Sequence, residues 1–287
     1  YGPFTSRSYF RGSISGTRIW GEQSDSETVL TVGLTADDTN LDDGFLGPLL
    51  GIWRSGTLSD GRWRLGWQMS RTSQVPGYTA IGSNPDAGLF RGNPDLDREK
   101  SWQTEIDAEW RDSNRSIKVT VFYRDDDPLV DWTFQRDSAT ARTANPVAIE
   151  TVGAEVVAVR QSEALDLVVG YTWLDKNDDY MGTAVDASFY ALNFARHRIT
   201  AALVWRISHE FEVRSDNELR FQDPNILRTV GGDEAFLSSL SFQYRPERWS
   251  GLRLVLAIDN LWDTNFQEIP AVPAAPRQWS GSLSWSW

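Results

Sequence analysis

The feature that most constrains this chain is an alternation of apolar and polar side chains with a period of two residues. In Trp279–Trp287, WSGSLSWSW, the Trp and Leu residues fall on one face of a strand and the serines on the other. Similar alternation recurs in about 13 segments of about 9 to 12 residues, and no helical period competes with it. The pattern predicts an all-β, antiparallel fold over residues 1–287.

The connections between these segments differ in length. Short connections lie near 112–115, 162–164, 208–210 and 245–251, and long ones lie at 73–100, 126–147, 175–195, 222–235 and 262–277. Short turns at one end and long loops at the other, with strands long enough to cross a bilayer when tilted, are typical of a transmembrane β-barrel. A soluble β-sandwich or small barrel is the alternative. We favour the membrane barrel because the apolar faces end in Trp and Tyr.

Composition narrows the classes of partner. The net charge of −12 disfavours nucleic acid, because phosphate would be repelled. The 14 Trp residues suit a protein that meets lipid headgroups. The chain has no cysteine, which excludes disulfides and thiolate metal sites. We therefore expect the lipid bilayer as a partner and no nucleic acid.

Two segments match known sequence patterns around the middle of the chain. Gly92–Trp110, GNPDLDREKSWQTEIDAEW, is similar to a Gly-Asn-Pro-x-Leu-x-Pro-Glu-Lys loop that leads into a strand, with Arg98 where proline is usual. Ala148–Val159, AIETVGAEVVAV, is similar to a Gly-x-Glu strand that follows a few segments later.

Two further segments near the end match in the same order. Ile258–Glu268, IDNLWDTNFQE, resembles an Asn-Leu-Phe-Asp-x-x-Tyr motif, with Trp262 for Phe and Phe266 for Tyr. The final PRQWSGSLSWSW resembles a Gly-Arg terminal strand, with Pro276 in place of glycine. Together the four matches resemble the C-terminal part of the barrel of TonB-dependent outer-membrane receptors, with a layout like the vitamin B12 receptors. The resemblance covers residues 60–287 well.

The resemblance implies a function and a location. Receptors of this family lie in the outer membrane of Gram-negative bacteria and import a scarce ligand such as a siderophore, a metal chelate or cobalamin. They have a 22-stranded barrel and a plug that couples to the TonB complex. We therefore expect this chain to be the C-terminal portion of such a barrel, without the plug and the first strands. A second chain or an N-terminal half would complete it, because bare strand edges are prohibitive in lipid.

Three groups of residues are candidates for binding. Exposed loop aromatics are expected to contact the small-molecule ligand: Tyr78, Phe90, Tyr180, Phe189, Tyr190 and Phe266. The polar face of one strand is expected to face the lumen, where its charges either pair across strands, which we favour, or line a passage: Glu212, Arg214, Asp216, Glu218 and Arg220. An acidic loop could bind calcium, although a solvated loop is favoured: Asp38, Asn40 and Asp42.

The last strand has a predicted role of its own. Leu283, Trp285 and Trp287 resemble the C-terminal aromatic signal that the barrel-assembly machinery recognises. Anchoring of Trp287 in the interfacial belt is the simpler alternative, and both roles are compatible.

Nothing in the chain indicates an enzyme. His197 and His209 are its only histidines, and no nucleophile or metal-ligand spacing accompanies them. No cofactor is expected apart from calcium. Two alternatives to a transporter stay open. The chain could be a structural subunit of an envelope assembly, or it could be a passive porin.

Overall fold

In this computed structural model, residues 6–21, 25–40, 42–136, 141–189, 191–225, 227–269 and 272–286 are described. They are almost entirely β-structure, with one short helix, α1 (Tyr78–Gly82), and one 3-10 turn, Glu247–Trp249. The strands are β1 (Tyr9–Trp20), β2 (Ser26–Thr39), β3 (Phe45–Leu58), β4 (Gly61–Gln74), β5 (Phe90–Arg91), β6 (Glu99–Arg111), β7 (Arg115–Phe134), β8 (Arg142–Gln161), β9 (Leu165–Asp179), β10 (Ala187–Ser188), β11 (Ala195–Arg206), β12 (Phe211–Gln222), β13 (Glu234–Tyr244), β14 (Leu252–Asp259), β15 (Gln267–Ile269), β16 (Val272–Pro273) and β17 (Gln278–Trp285).

Most of these strands form one sheet in which spatial order follows chain order. In the described part of the chain the order is β1-β2-β3-β4-β6-β7-β8-β9-β11-β12-β13-β14-β17. β5 and β10 attach beside this path, and β15 and β16 form a separate pair. The path contains 13 long strands. The prediction of an all-β, antiparallel fold with about this number of strands is confirmed.

The register keeps apolar and polar rows separate across neighbouring strands. Leu219 of β12 lies opposite Ile199 of β11 on one side and Phe236 of β13 on the other. On the other face of β12, Glu212 lies opposite Arg206 of β11 and Gln243 of β13. Because side chains alternate between faces, a slip of one residue would move every apolar side chain to the polar face. The hydrophobic alternation therefore specifies the register.

Tight turns are built by side-chain oxygens that bind the backbone. In the turn between β6 and β7, Asp112 accepts the N–H groups of Asn114 and Arg115, each at 2.7 Å. Ser162 accepts the N–H of Leu165 at 3.0 Å in the turn between β8 and β9. Backbone N–H groups in a turn have no carbonyl partner on a neighbouring strand. Asp and Ser are favoured in turns because their side-chain oxygens accept these N–H groups instead.

The chain forms two compact units. The first comprises Tyr1–Ala108, Thr120–Ala154 and Leu174–Asn193, and the second comprises Glu109–Val119, Glu155–Trp173 and Phe194–Trp287. Among the described residues, no helix combines the length and the apolar character needed to cross a membrane.

Candidate ligand-binding loops

The hairpin of β7 and β8 in the first unit is clasped by two long loops. The loop from β4 to β6 carries α1, and its β5 pairs with β8, so that Phe90 lies beside Arg142. The loop from β9 to β11 carries β10, whose Ser188 lies beside Thr133 of β7. Each loop therefore adds a short strand to one edge of the hairpin.

Two apolar clusters fix these loops to the hairpin. Val130, Ala144 and Trp132 of the hairpin pack against Ala80 and Leu96 of the first loop. A second cluster joins residues of the hairpin to the second loop: Val147, Ile149 and Leu129 with Tyr180, Val185, Ala191 and Leu192. Because Val130 and Trp132 alternate with Leu129 along β7, the two loops cover opposite faces of the hairpin.

A buried carboxylate holds the second loop. Asp131 of β7 is fully buried and accepts the Tyr180 hydroxyl at 3.0 Å. It also accepts the N–H groups of Phe189 at 3.0 Å and Ala191 at 3.2 Å. Burial raises the pKa of Tyr180, and the charge of Asp131 raises it further. Tyr180 therefore remains a donor at any physiological pH, and its role in this structure is to tie the loop down.

Aromatic rings and one arginine form the surface where the loops meet. The Phe90 ring contacts Trp132 edge-on at 5.3 Å and lies 6.4 Å from Phe189. The Arg142 guanidinium stacks on Phe189, 4.5 Å from the ring centre, and its buried Nη1 has no partner among the described residues. Phe90 itself is 46% exposed. The exposed Phe90 ring, with aromatic neighbours on both sides, makes this aromatic surface the most suitable one for contact with a small molecule.

The remaining predicted loop aromatics differ in exposure. Tyr78 is half exposed and carries the guanidinium of Arg7 4.6 Å from its ring centre. Tyr180 and Phe266 are only 8% and 2% exposed, so the structure gives them packing roles. Tyr190 lies outside the described residues.

The family-like loop around Gly92 is explained by close packing. A Cβ atom at Gly92 would lie 2.7 Å from the carbonyl oxygen of Ser83, so a larger residue would not fit there. The N–H of Asn93 donates to the carbonyl of Ala80 at 2.7 Å. The carboxylate of Glu99 accepts the N–H of Val130 at 2.8 Å. The glycine and the glutamate of this pattern therefore attach the first loop to α1 and to β7.

Arg98, which replaces the usual proline, occupies the acidic end of β2. It is 4% exposed, pairs with Asp37 and donates to Asp42 at 2.6 Å and to Ser73 at 3.1 Å. Burial alone would lower the pKa of Arg98, but hydrogen bonds and charges from Asp42 and Asp37 raise it. Asp42 is one of the predicted calcium ligands, and here its carboxylate is engaged by a guanidinium.

The other two calcium candidates do not converge with Asp42. Asn40 accepts the N–H of Ser8 at 2.8 Å, and Asp38 lies opposite Phe10 in the pairing of β2 with β1. Within the described ranges, no group of three or more acidic or histidine side chains could hold a metal ion.

In the second unit, the charged row of β12 is largely paired. Arg214 donates to Asp216 at 2.7 Å and 3.0 Å, and Glu218 is 2.7 Å from Arg198 and 3.0 Å from Arg220. Glu212, at the start of the row, lines a cavity beside the turn that precedes β12. Of these pairs, Arg198–Glu218 joins β12 to β11, where opposite charges favour the register. The other two pairs lie within β12, so the structural role favoured for this row stays a prediction.

The loop between β14 and β17 is attached to the end of this row. Arg220 forms an ion pair with Glu268 and lies 5.6 Å from the ring centre of buried Phe266. Gln267 accepts the N–H of Thr229 at 3.0 Å, and Arg228 donates to the Gln267 carbonyl at 3.0 Å. We call these contacts the β12 latch. They join this loop to the loop between β12 and β13.

The motif near Asn260 is also structural. Its amide donates to the carbonyls of Thr264 at 3.1 Å and Ala275 at 2.9 Å, which closes the loop. Trp262, where the pattern has Phe, donates its indole N–H to Ser238 at 3.0 Å and stacks on Phe236. A phenylalanine could not donate to Ser238. The replacement of Phe by Trp262 is therefore explained by the hydroxyl of Ser238, which accepts the indole N–H.

The last strand presents its apolar side chains to the surface. Leu283 and Trp285 are exposed, and Trp279 on the same face is 76% exposed. β17 pairs with β14, where Leu254 lies opposite Leu283. Trp287 lies outside the described residues.

Asp131 and Arg142 were not predicted from the sequence, and neither histidine was predicted to have a role. Asp131 could have been noticed as a carboxylate among apolar residues of a strand, a position that requires partners. Arg142 carries no such signal. The His197 ring lies against Tyr171, whose hydroxyl is 2.9 Å from its Nδ1, and His209 lines the cavity beside the turn before β12.

Solved structures with this fold are numerous. The copper transporter OprC is 14% identical, with a TM-score of 0.67, and the match covers 98% of this chain and 48% of that one. The siderophore receptor PirA from Acinetobacter baumannii is 15% identical, with a TM-score of 0.69 and coverage of 98% and 46%. The FrpB iron transporter from Neisseria meningitidis is 13% identical, with a TM-score of 0.67 and coverage of 97% and 45%. At such identities the similarity shows the fold alone, and the chain spans less than half of each structure.

A family model gives the assignment. No curated protein matches the chain, but the model described as TonB dependent receptor-like, beta-barrel matches residues 9–261. This match covers most of the chain and includes β1 to β14 of the sheet. The chain therefore belongs to the TonB-dependent receptor-like β-barrel family.

Proposed function

We propose that this chain is part of an outer-membrane receptor that imports a scarce ligand, such as a siderophore, a metal chelate or cobalamin, with energy from the TonB complex. The observation that carries the proposal is the family match over residues 9–261. The relatives with this fold include a copper transporter, a siderophore receptor and an iron transporter. In this placement the apolar strand faces lie in the outer membrane and the long loops face outward.

The clasped hairpin supports a binding role for the long loops. A ligand is best recognised by a surface that is already ordered, because less conformational entropy is then lost on binding. The two loops around β7 and β8 are held by apolar clusters and by Asp131. We assign the first contacts with the ligand to Phe90, Tyr78 and Arg142, beside Phe189. In this proposal the protein is a receptor and not an enzyme.

Uptake measurements test the proposal. Cells that produce the full receptor containing this chain are supplied with radiolabelled ferric siderophores, copper chelates and cobalamin. We expect accumulation of one ligand class that depends on the receptor and is lost without TonB. Uptake that persists without TonB would indicate a porin, and no uptake of any class would favour a structural subunit.

Substitutions then locate the contact surface. Phe90→Ala and Tyr78→Ala should each weaken ligand binding by about 1 to 2 kcal/mol, because aromatic anchors carry much of the energy of a binding surface. Leu58→Ala is the matched control, since Leu58 is similarly exposed but is the last residue of β3, next to the short turn at the opposite strand end. Unchanged binding in both aromatic variants would contradict the assignment of the site, while TonB-dependent uptake would still support the receptor.

A further inference from the structure

A cavity of about 450 Å³ lies in the second unit between two tight turns. One turn joins β6 to β7 and the other joins β8 to β9. The N–H of Gln161 donates to the carbonyl of Asn114 at 2.7 Å, so the two turns are directly bonded. Arg115 and Arg160 line the cavity together with one carboxylate, Asp112, which is bound to Arg115. The rest of the lining consists of hydroxyl and amide side chains: Ser113, Asn114, Gln161 and Ser162.

The side chains of this cavity are suited to an anion. Arg115 is held on one edge by Asp112, which accepts its Nε at 2.8 Å and its Nη2 at 2.6 Å. Its remaining N–H groups are left for another acceptor. Arg160 is exposed and forms no ion pair with any described residue. Two guanidinium groups with hydroxyl and amide donors beside them match the oxygens of a phosphate group.

The position of the cavity identifies the source of the phosphate. The Arg115 guanidinium lies 5.4 Å from the ring centre of Trp110. Ile117 and Val119, which share the face of Arg115 because side chains alternate, are exposed. Along this face, apolar side chains are thus followed by an aromatic ring and then by charge. That sequence of chemistry is the one found where hydrocarbon gives way to lipid headgroups.

We infer that this cavity binds the phosphate of an anionic phospholipid headgroup in the periplasmic leaflet of the outer membrane. The inference rests on the proposed function for its membrane placement, because short turns lie on the periplasmic side of such barrels. It adds a lipid site at the short turns that join β6 to β7 and β8 to β9. Each arginine contributes both charge and hydrogen bonds to the headgroup.

A neighbouring cavity of the same unit is more acidic, with three carboxylates in its lining instead of one. It has a volume of about 400 Å³ and lies beside the turn between β11 and β12. Its lining includes Arg206 and Arg245 but also three carboxylates: Glu163, Glu210 and Glu212. These carboxylates would repel a phosphate. Arg245 is exposed, like Arg160. Arg245→Gln therefore removes one positive charge near the short turns but leaves the lining of the proposed site unchanged.

Native mass spectrometry of the full receptor tests the inference. The receptor is extracted from vesicles that contain equal amounts of phosphatidylglycerol and phosphatidylcholine, and the lipids that remain bound are counted. We expect the wild type to retain phosphatidylglycerol preferentially. Arg160→Gln should lower this preference about fivefold, and the double variant with Arg115→Gln should lower it further, since each basic residue near a membrane surface contributes comparably. Arg245→Gln should leave the preference unchanged.

The alternative outcomes are distinct. Equal retention of the two lipids by the wild type, or an unchanged preference in the double variant, would overturn the inference alone. Displacement of the lipid by millimolar inorganic phosphate would show a site for free anions and would also overturn it. Retention of no lipid would overturn the inference alone, whereas failure of the receptor to insert into the vesicles would overturn the membrane placement as well. Heat-modifiable migration on gels confirms that each variant is folded.

Discussion

At the scale of single residues, Arg98 neutralises two carboxylates at the end of β2, those of Asp37 and Asp42. Replacing it with alanine would leave the carboxylate of Asp37, whose side chain is 1% exposed, buried without its cation. Breaking a buried ion pair in this way costs about 3 to 5 kcal/mol. We expect Arg98→Ala to lower the free energy of unfolding in detergent by about this amount, as measured by urea denaturation.

The control for this prediction is Arg62→Ala, which removes an exposed arginine from β4 and should change stability by less than about 0.5 kcal/mol. Calcium provides a second check. Arg98 supplies positive charge beside Asp42, so calcium should not stabilise the wild type but should restore part of the stability of Arg98→Ala. Equal unfolding free energies for the two alanine variants would contradict the role of Arg98.

The departures from the family pattern illustrate what a sequence can show at this scale. Arg98 and Trp262 were both visible as unusual residues. Their partners were not, because Asp37 and Ser238 are distant in sequence and nothing local marks them. An exchange of residue type can be detected by comparison with a pattern, whereas the compensating contact is a property of the folded chain.

At the scale of elements, the clasp of β7 and β8 depends on Asp131. In Asp131→Asn the amide group would turn a donor toward the hydroxyl or N–H groups that now donate to the carboxylate. An unsatisfied buried group costs about 1 to 3 kcal/mol. We expect amide hydrogen exchange at Phe189 and Ala191 to accelerate about 10- to 100-fold, as measured by mass spectrometry.

Two variants calibrate this measurement. Tyr180→Phe removes one of the three bonds and should produce a smaller acceleration. Asp86→Asn removes an exposed charge from the other loop and should have no effect on these amides. Wild-type exchange rates in Asp131→Asn would show that the apolar cluster alone holds the loop.

The β12 latch should respond to acid. The hydrogen bond from Arg220 lowers the pKa of Glu268, and the charges of Arg220 and Arg198 lower it further. A carboxylate with a lowered pKa stabilises the folded state above its unfolded pKa of about 4.3 and loses that contribution as the pH falls through its folded value. The loop between β14 and β17 should therefore be anchored at pH 7 and loosen only below about pH 4.

A spin label at Val272→Cys measures this anchoring, and residues 1–287 contain no other cysteine that would be labelled. Its electron paramagnetic resonance spectrum should be immobilised at pH 7 and become mobile at low pH. With Glu268→Gln it should be mobile at both. A label that is equally immobile at pH 7 and pH 3 would exclude the ion pair as the anchor.

The strands and helices that could be predicted were those with a regular alternation of apolar and polar residues. The long strands were recognised because each has a solvent or lipid face and an opposite face, and this requirement repeats every second residue. The loops have no such repeat, so β5, β10 and α1 could not be predicted. Tyr180 and Phe266 were expected to be exposed contacts for the same reason, and their burial comes from packing against distant strands.

At the scale of the whole molecule, spatial order follows chain order from β1 to β17. Sequential hairpins of this kind need only neighbouring segments to pair, which is why counting alternating segments predicted the architecture. The identity of a ligand is different, because it depends on the convergence of several loops. In the proposed binding surface, Phe90, Phe189 and Arg142 are brought together by nonlocal pairing of β5 and β10 with the hairpin.

The end of the chain allows a test that separates assembly from stability. If the apolar face of β17 serves as an assembly signal, deleting Trp287 should lower the amount of receptor in the outer membrane severalfold. The unfolding free energy of barrels already inserted should change by less than about 0.5 kcal/mol, because an assembly signal acts before insertion and leaves only the small effect typical of a surface substitution. Trp279→Ala, which removes an exposed Trp from the same face, controls for the loss of an interfacial ring. Two results would indicate that Trp287 is only a membrane anchor. One is an equal loss of assembly and stability when Trp287 is deleted, and the other is an equal loss of assembly in the deletion variant and in Trp279→Ala.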